Sequence, residues 1–209
     1  EYTYPPDYTG IASGPIHDMK QKNMVAFPIE VLQKKNGQVI QGTYNEFETF
    51  TSLEDLFFSF IQLKKIYLSE SSTPFSYSSN VNGNISQGNY VERVQFLDYD
   101  VYGNLWSQKL LASSSPVGEN TAVYYLWGYN QKVPLAKVQA ENTTAIAASF
   151  LGFKGNHALL NETNSETIYD QLRSALGTEA FITTYSYNNK LQVQAVTNTN
   201  RKTTTYEYD

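Results

Sequence analysis

The 209 residues are enough for one domain, or one and a half, with a sizeable buried core. A hydrophobic fraction of 41% and a charged fraction of 17% exclude a disordered chain, and the net charge of −5 disfavours nucleic-acid binding, because no basic cluster could neutralise a row of phosphates. The absence of Cys excludes disulfides, thiol catalysis and cysteine metal sites, and no apolar run approaches the ~20 residues a bilayer-spanning helix needs.

Residues 1–10, EYTYPPDYTG, read as an extended start followed by a Pro-Pro turn. Ile11 to Met24 is weakly helical, with Ile16, Met19 and Met24 able to share a face once Gly14 and Pro15 are passed. AFPIEVLQKK then runs into Asn36-Gly37, and QVIQGTYNEFETF returns. That dipeptide tolerates positive φ at both central positions, as a tight hairpin turn requires. In Ser52 to Glu70, Ser52 and Asp55 form an imperfect capping box, but Phe58, Phe60, Gln62, Lys64, Ile66 and Leu68 alternate. A short turn followed by a strand is the preferred reading. Ser71 to Asn89 is a long polar loop with an expected mobile tip.

Tyr90 to Asp100 and Leu105 to Ala112 flank a VYGN turn, and Thr121 to Gly128 is a further strand. YLWGYNQKVPLAKVQA, Tyr125 to Ala140, reads as a strand, a bend at Gly128 and Asn130, and a second strand starting near Pro134 that leads toward the helices. Glu141 to Leu160 mixes Ala-rich helical character with Gly152 and Gly155. Ser165 to Leu176 is the clearest helix: Ile168, Leu172 and Leu176 line one face, Ser165 is placed to cap it and Gly177 to end it. The tail returns to period two in FITTYSYNN, LQVQAVTN and KTTTYEYD. With 17 Tyr, a strand former with a wet end, the expected fold is mainly β (α+β), antiparallel and hairpin-rich with one or two packed helices. The expected division is residues 1–89 and 90–209.

The tail repeats itself. Thr184-Tyr185-Ser186-Tyr187 and Thr205-Tyr206-Glu207-Tyr208 share one pattern, and Tyr208 is followed by Asp209. An earlier unit has Tyr99, Asp100, Gly103, Asn104 and Leu105. There an Asp can bond turn amides, a Gly supplies positive φ and a Leu re-enters the sheet. This resembles the tyrosine–aspartate (YD) repeat of the rearrangement-hotspot (Rhs) family, whose unit is Tyr-Asp-x-x-Gly-Arg/Asn-Leu. Tyr187, Asn188, Asn189, Lys190 and Leu191 match it poorly, lacking both the Asp and the Gly. The resemblance covers about Tyr90 to Asp209. It implies a YD-repeat-like ribbon that spirals, in some members into a shell around a C-terminal effector segment. It further implies an exported or surface-exposed bacterial protein whose repeats are non-catalytic, partnered by flanking repeats, without a cofactor. Glu1 in place of Met, and a chain that stops within a strand-like YEYD, suggest an excerpt of something longer.

Residue types for catalysis are sparse. His17 and His157 are far apart and lack a carboxylate at ligand spacing. Glu54-Asp55 and Asp98/Asp100 are paired carboxylates, but chain spacing does not place them across a cleft, and turn bonding already accounts for Asp100. Ser113 to Ser115 carry no nucleophile-elbow pattern, and no phosphate loop or dinucleotide fingerprint occurs. Asn84, Asn142 and Asn161 begin glycosylation triplets, which are common by chance in such a composition. The alternative functional reading is a carbohydrate-binding module: Tyr125, Trp127 and Tyr129 share one strand face and could stack on a cell-surface glycan. Packing is the simpler explanation of the same residues.

Overall fold

The computed structural model describes residues 1–51, 59–77, 89–111, 121–141 and 164–208. The protein is mainly β, with eleven strands among the described residues and antiparallel pairing throughout the strand pairs reported below. It divides into two compact units, Glu1–Gly103 with Leu111–Pro116, and Asn104–Leu110 with Val117–Asp209. The first unit runs on to Gly103, because the strand that begins at Tyr90 pairs back onto the N-terminal strands.

In the first unit the strands are β1 (Tyr2–Thr3), β2 (Glu30–Lys35), β3 (Gln38–Thr51), β4 (Ser59–Ser69) and β5 (Tyr90–Tyr99), paired in chain order. The β2–β3 turn is the expected Asn-Gly hairpin, with Asn36 at φ 53° and Gly37 at φ 77°. The ambiguous stretch resolves as a strand from Ser59, as preferred, while the capping-box residues Ser52 and Asp55 lie outside the described residues. Helix α1 spans Pro15–Gln21, shorter than the pattern suggested, because Gly14 and Pro15 fix its start. Its Met19 is fully buried against Tyr8, Ile29 and Ile61. A second cluster joins Leu32, Val39 and Tyr90, and Phe75 from the long loop bridges Val39 by two backbone bonds. The expected mobile tip of that loop lies outside the described residues.

The second unit contains β6 (Leu105–Leu110), β7 (Thr121–Gly128), β8 (Val133–Glu141), β9 (Phe181–Tyr187), β10 (Val193–Thr197) and β11 (Thr203–Thr205). Again each pairs with its neighbour in sequence. Helix α2 (Ser165–Leu176) has the expected bounds and buries Ile168, Leu172 and Leu176 against Leu126, Val138 and Ile182. Its cap differs from expectation. Asn164 Oδ1 accepts from the amides of Glu166 (3.0 Å) and Thr167 (3.2 Å), so Asn164 does the capping. Ser165 is buried instead, at the head of a chain of hydroxyl contacts. Thr184 Oγ1 donates to Ser165 O (2.6 Å), Ser165 Oγ meets Thr197 Oγ1 (3.1 Å), and Thr197 Oγ1 meets Thr203 Oγ1 (2.9 Å).

YLWGYNQKVPLAKVQA is not a bend between separate pieces of sheet. It is a hairpin: β7 and β8 pair from Thr121↔Glu141 to Gly128↔Val133, and Tyr129, Asn130 and Gln131 turn the chain at φ 51°, 58° and 62°. A register shift leaves Leu135 as the extra residue of a bulge, with Pro134 opposite Trp127, where a missing amide is tolerated. Leu135 folds over Gly128, and a Cβ on Gly128 would lie 2.4 Å from its Cδ1. Glycine is required there by the neighbouring side chain.

Candidate functional site

The residues singled out by repetition build one local geometry three times. In the first copy Gly103 N–H donates to Asp100 O (3.0 Å) and Tyr102 N–H to Asp100 Oδ1 (2.9 Å), with Gly103 at φ 83°. In the second, Leu191 N–H donates to Asn188 O (2.9 Å) and Lys190 N–H to Asn188 Oδ1 (2.9 Å), with Leu191 at φ 60°. In the third, Arg201 N–H donates to Asn198 O (2.9 Å) and Asn200 N–H to Asn198 Oδ1 (3.0 Å), with Arg201 at φ 58°. A side-chain oxygen at the first position satisfies an amide two residues on, and the fourth position is left-handed. Asn188 and Asn198 serve as Asp100 does. The sequence alignment placed Leu191 on Leu105; the geometry places Leu191 on Gly103, and Val193, which opens β10 opposite Tyr187, on Leu105. The third copy, at Asn198, lies in the stretch Thr197 to Asp209 that leads into the repeated Thr205-Tyr206-Glu207-Tyr208, although the turn itself has neither Tyr, Asp nor Gly. Its signal was a second Asn between two short period-two runs.

The motif tyrosines also act alike. Tyr99 Oη donates to Leu63 O in β4 (2.6 Å), Tyr187 Oη to Pro134 O in β8 (2.7 Å), and Tyr208 Oη to Val193 O in β10 (2.8 Å). Each hydroxyl reaches a carbonyl of a strand that precedes the tyrosine in the chain. Burial pushes the Tyr99 hydroxyl pKa up, and burial with the neighbouring Tyr185 and Tyr129 pushes that of Tyr187 up to about 12. Both therefore stay protonated donors at neutral pH. Asn104 Nδ2 donates to Gln131 O (2.8 Å), tying the end of the first motif to the β7–β8 turn, and Leu105 opens β6. Asp209 lies outside the described residues.

The three aromatics of the glycan reading are engaged in the fold. Trp127 Nε1 donates to Leu105 O (2.8 Å), and its ring packs against the α2 core. Tyr129 also packs on that core and lies edge-on to Tyr187 at 5.6 Å, its hydroxyl donating to Tyr187 O (3.4 Å). Tyr125 Oη accepts from Gln108 Nε2 (3.3 Å) and remains half-buried on the open face of the sheet. The opposite face carries Tyr124 and Leu126, both buried.

Of the carboxylates, Asp98 is the penultimate residue of β5 and Asp100 lies past the strand in the turn, so they do not share a strand face. Glu54-Asp55, His157, Ser113 to Ser115 and the three glycosylation triplets lie outside the described residues. Among the described residues no group of three or more His, Asp or Glu is arranged to hold a metal ion, and no helix is long and apolar enough to cross a membrane. One buried carboxylate went unnoticed in the sequence. Glu30 in β2 is 1% exposed, and its Oε1 accepts from Tyr90 Oη (2.8 Å), which locks β2 to β5 through 60 residues of chain.

A second feature escaped sequence reading, because it needs strands from distant segments. On the open face of the second unit Lys137 and Gln139 of β8 stand beside Thr183 and Phe181 of β9, and with Thr199 they line a groove of about 310 Å³. Phe181 is 63% exposed. No protein-family model matches the chain, and no curated protein is significantly similar to it.

Proposed function

We propose that this chain is a non-catalytic structural segment of an exported repeat protein of the Rhs type, in which successive hairpins build a ribbon beside or around another segment of the same polypeptide. The observation that carries the reading is the threefold turn, together with tyrosine hydroxyls that three times clamp onto a carbonyl of an earlier strand. A binding or catalytic site has no use for such repetition, whereas a ribbon needs the same joint at each return of the chain. The exposed β11, all three of whose residues face solvent, supports it further, since an edge strand gains from being covered.

The test is to extend the chain beyond Tyr208-Asp209 with one further hairpin carrying Tyr-Asp-x-x-Gly-Asn-Leu and to follow thermal unfolding. Added pairing raises the melting temperature, by about 2–4 °C for each kcal/mol gained in a chain of this size. An unchanged melting temperature, with the added hairpin open to protease, overturns the reading. The glycan platform of Tyr125, Trp127 and Tyr129 has less support, because two of its three rings are packed against the α2 core.

A further inference from the structure

We infer that the groove on the open face of the second unit binds an acidic sugar, a hexuronic acid residue within a polysaccharide, with Phe181 as platform and Lys137 as counter-ion. The inference stands apart from the ribbon reading and, apart from Thr199 in the third turn, uses none of the motif residues.

The register fixes the site. Lys137 pairs with Thr183 and Gln139 with Phe181, so these four side chains form a two-by-two patch on the open face, and Thr199 completes its wall. Tyr125 pairs with Lys137 from the other side, which places its half-buried ring next to the lysine. The patch therefore combines an ammonium group, an amide, two hydroxyls and a phenyl ring 63% exposed. Lys137 is a central-strand residue with no carboxylate opposite it: its partners across the sheet are Tyr125 and Thr183, and among the described residues none that lines the groove is acidic. In a chain of net charge −5, this is a local site for an anion.

The rest of the patch defines the kind of anion. A pyranose has an apolar C–H face, which covers an aromatic ring, and equatorial hydroxyls, which exchange hydrogen bonds with amide and hydroxyl side chains. Gln139 and Thr183 offer both donors and acceptors within one residue of the ring. A simple phosphate would leave Phe181 uncovered, and a neutral sugar would leave Lys137 without a partner. The volume of about 310 Å³ is at the small end for ligand pockets, room for one or two rings. Lys137 then makes a charge-assisted bond to the uronate carboxylate.

The test is calorimetric and NMR titration of the chain with digalacturonic acid and, separately, with neutral galactobiose. The acidic sugar is expected to bind with shifts at Lys137, Gln139, Phe181 and Thr183, and to weaken as salt rises. Lys137→Gln is expected to lower its affinity about tenfold and bring it to the level of the neutral sugar, since the charge-assisted bond to the carboxylate is lost. Phe181→Ala is expected to abolish both, and its exposure makes unfolding no explanation of the loss. The proposal is overturned if millimolar digalacturonate causes no shift at these residues, if Lys137→Gln leaves its affinity unchanged, or if a polyglutamate peptide binds the groove more tightly than the sugar.

Discussion

Leu191 holds a left-handed backbone angle that costs a branched, Cβ-bearing residue roughly 1–2 kcal/mol, whereas glycine enters it freely. Its side chain is 36% exposed, so burial offsets only part of that cost. Leu191→Gly is therefore expected to stabilise the chain by about 0.5–1 kcal/mol, visible as a higher midpoint in urea unfolding with an unchanged slope. An unaltered or lower midpoint would mean that the Leu191 side chain contributes more than its exposure implies. The same residue shows why sequence comparison slipped at this repeat. Matching by type set Leu191 against Leu105, but the turn selects for backbone angle and for an oxygen on its first residue, and Asn supplies that oxygen as well as Asp. A rule written in angles and acceptors is invisible when one reads letters.

Among the elements, the start of α2 rests on hydroxyls as much as on apolar packing. Thr197 is fully buried, with its Oγ1 between Ser165 Oγ and Thr203 Oγ1, so β10 holds both the helix and β11 through one oxygen. Thr197→Val preserves shape and removes both contacts, leaving the buried Ser165 hydroxyl without that partner. The expected cost is about 1–2 kcal/mol, read as a melting temperature lower by several degrees. A change within error would show that Ser165 finds another acceptor. The helix itself was legible, since its 3.6-residue stripe and Gly177 set its bounds, and so were most strands, because period two survives where one face is wet. The β7–β8 hairpin was not. Its turn uses three consecutive non-glycine residues at positive φ, a conformation no local preference announces, and Pro134 looked like a break until the bulge gave it a place. The groove was equally hidden, since Lys137 and Thr183 meet only through pairing.

For the chain as a whole, tyrosine dominates the response to base. Burial raises the hydroxyl pKa of Tyr8, Tyr44, Tyr67, Tyr90, Tyr99, Tyr124, Tyr125, Tyr185 and Tyr187, those of Tyr67 and Tyr187 to about 12. A raised folded pKa means that the unfolded chain loses protons first. This contribution to stability is complete below the unfolded value of about 10 and declines as pH climbs through the folded values. Denaturant unfolding is thus expected to be insensitive to these groups up to about pH 9 and to weaken steeply between about pH 10 and 12, with phenolate absorbance appearing together with loss of structure. Phenolate signal that saturates while the fold persists would contradict the assignment.

Pairing in chain order has a kinetic side. In each unit the strands join their neighbours in sequence, and in the reported pairs no strand waits for a distant one to be inserted beside it. Closure is short-range and entropically cheap at the β2–β3, β7–β8, β9–β10 and β10–β11 turns, whereas β9 reaches β8 only after the segment that carries α2. A polypeptide built so can zip from its first hairpin onward as it emerges, end first, from a ribosome or a narrow export channel, with each new strand finding its edge already laid down.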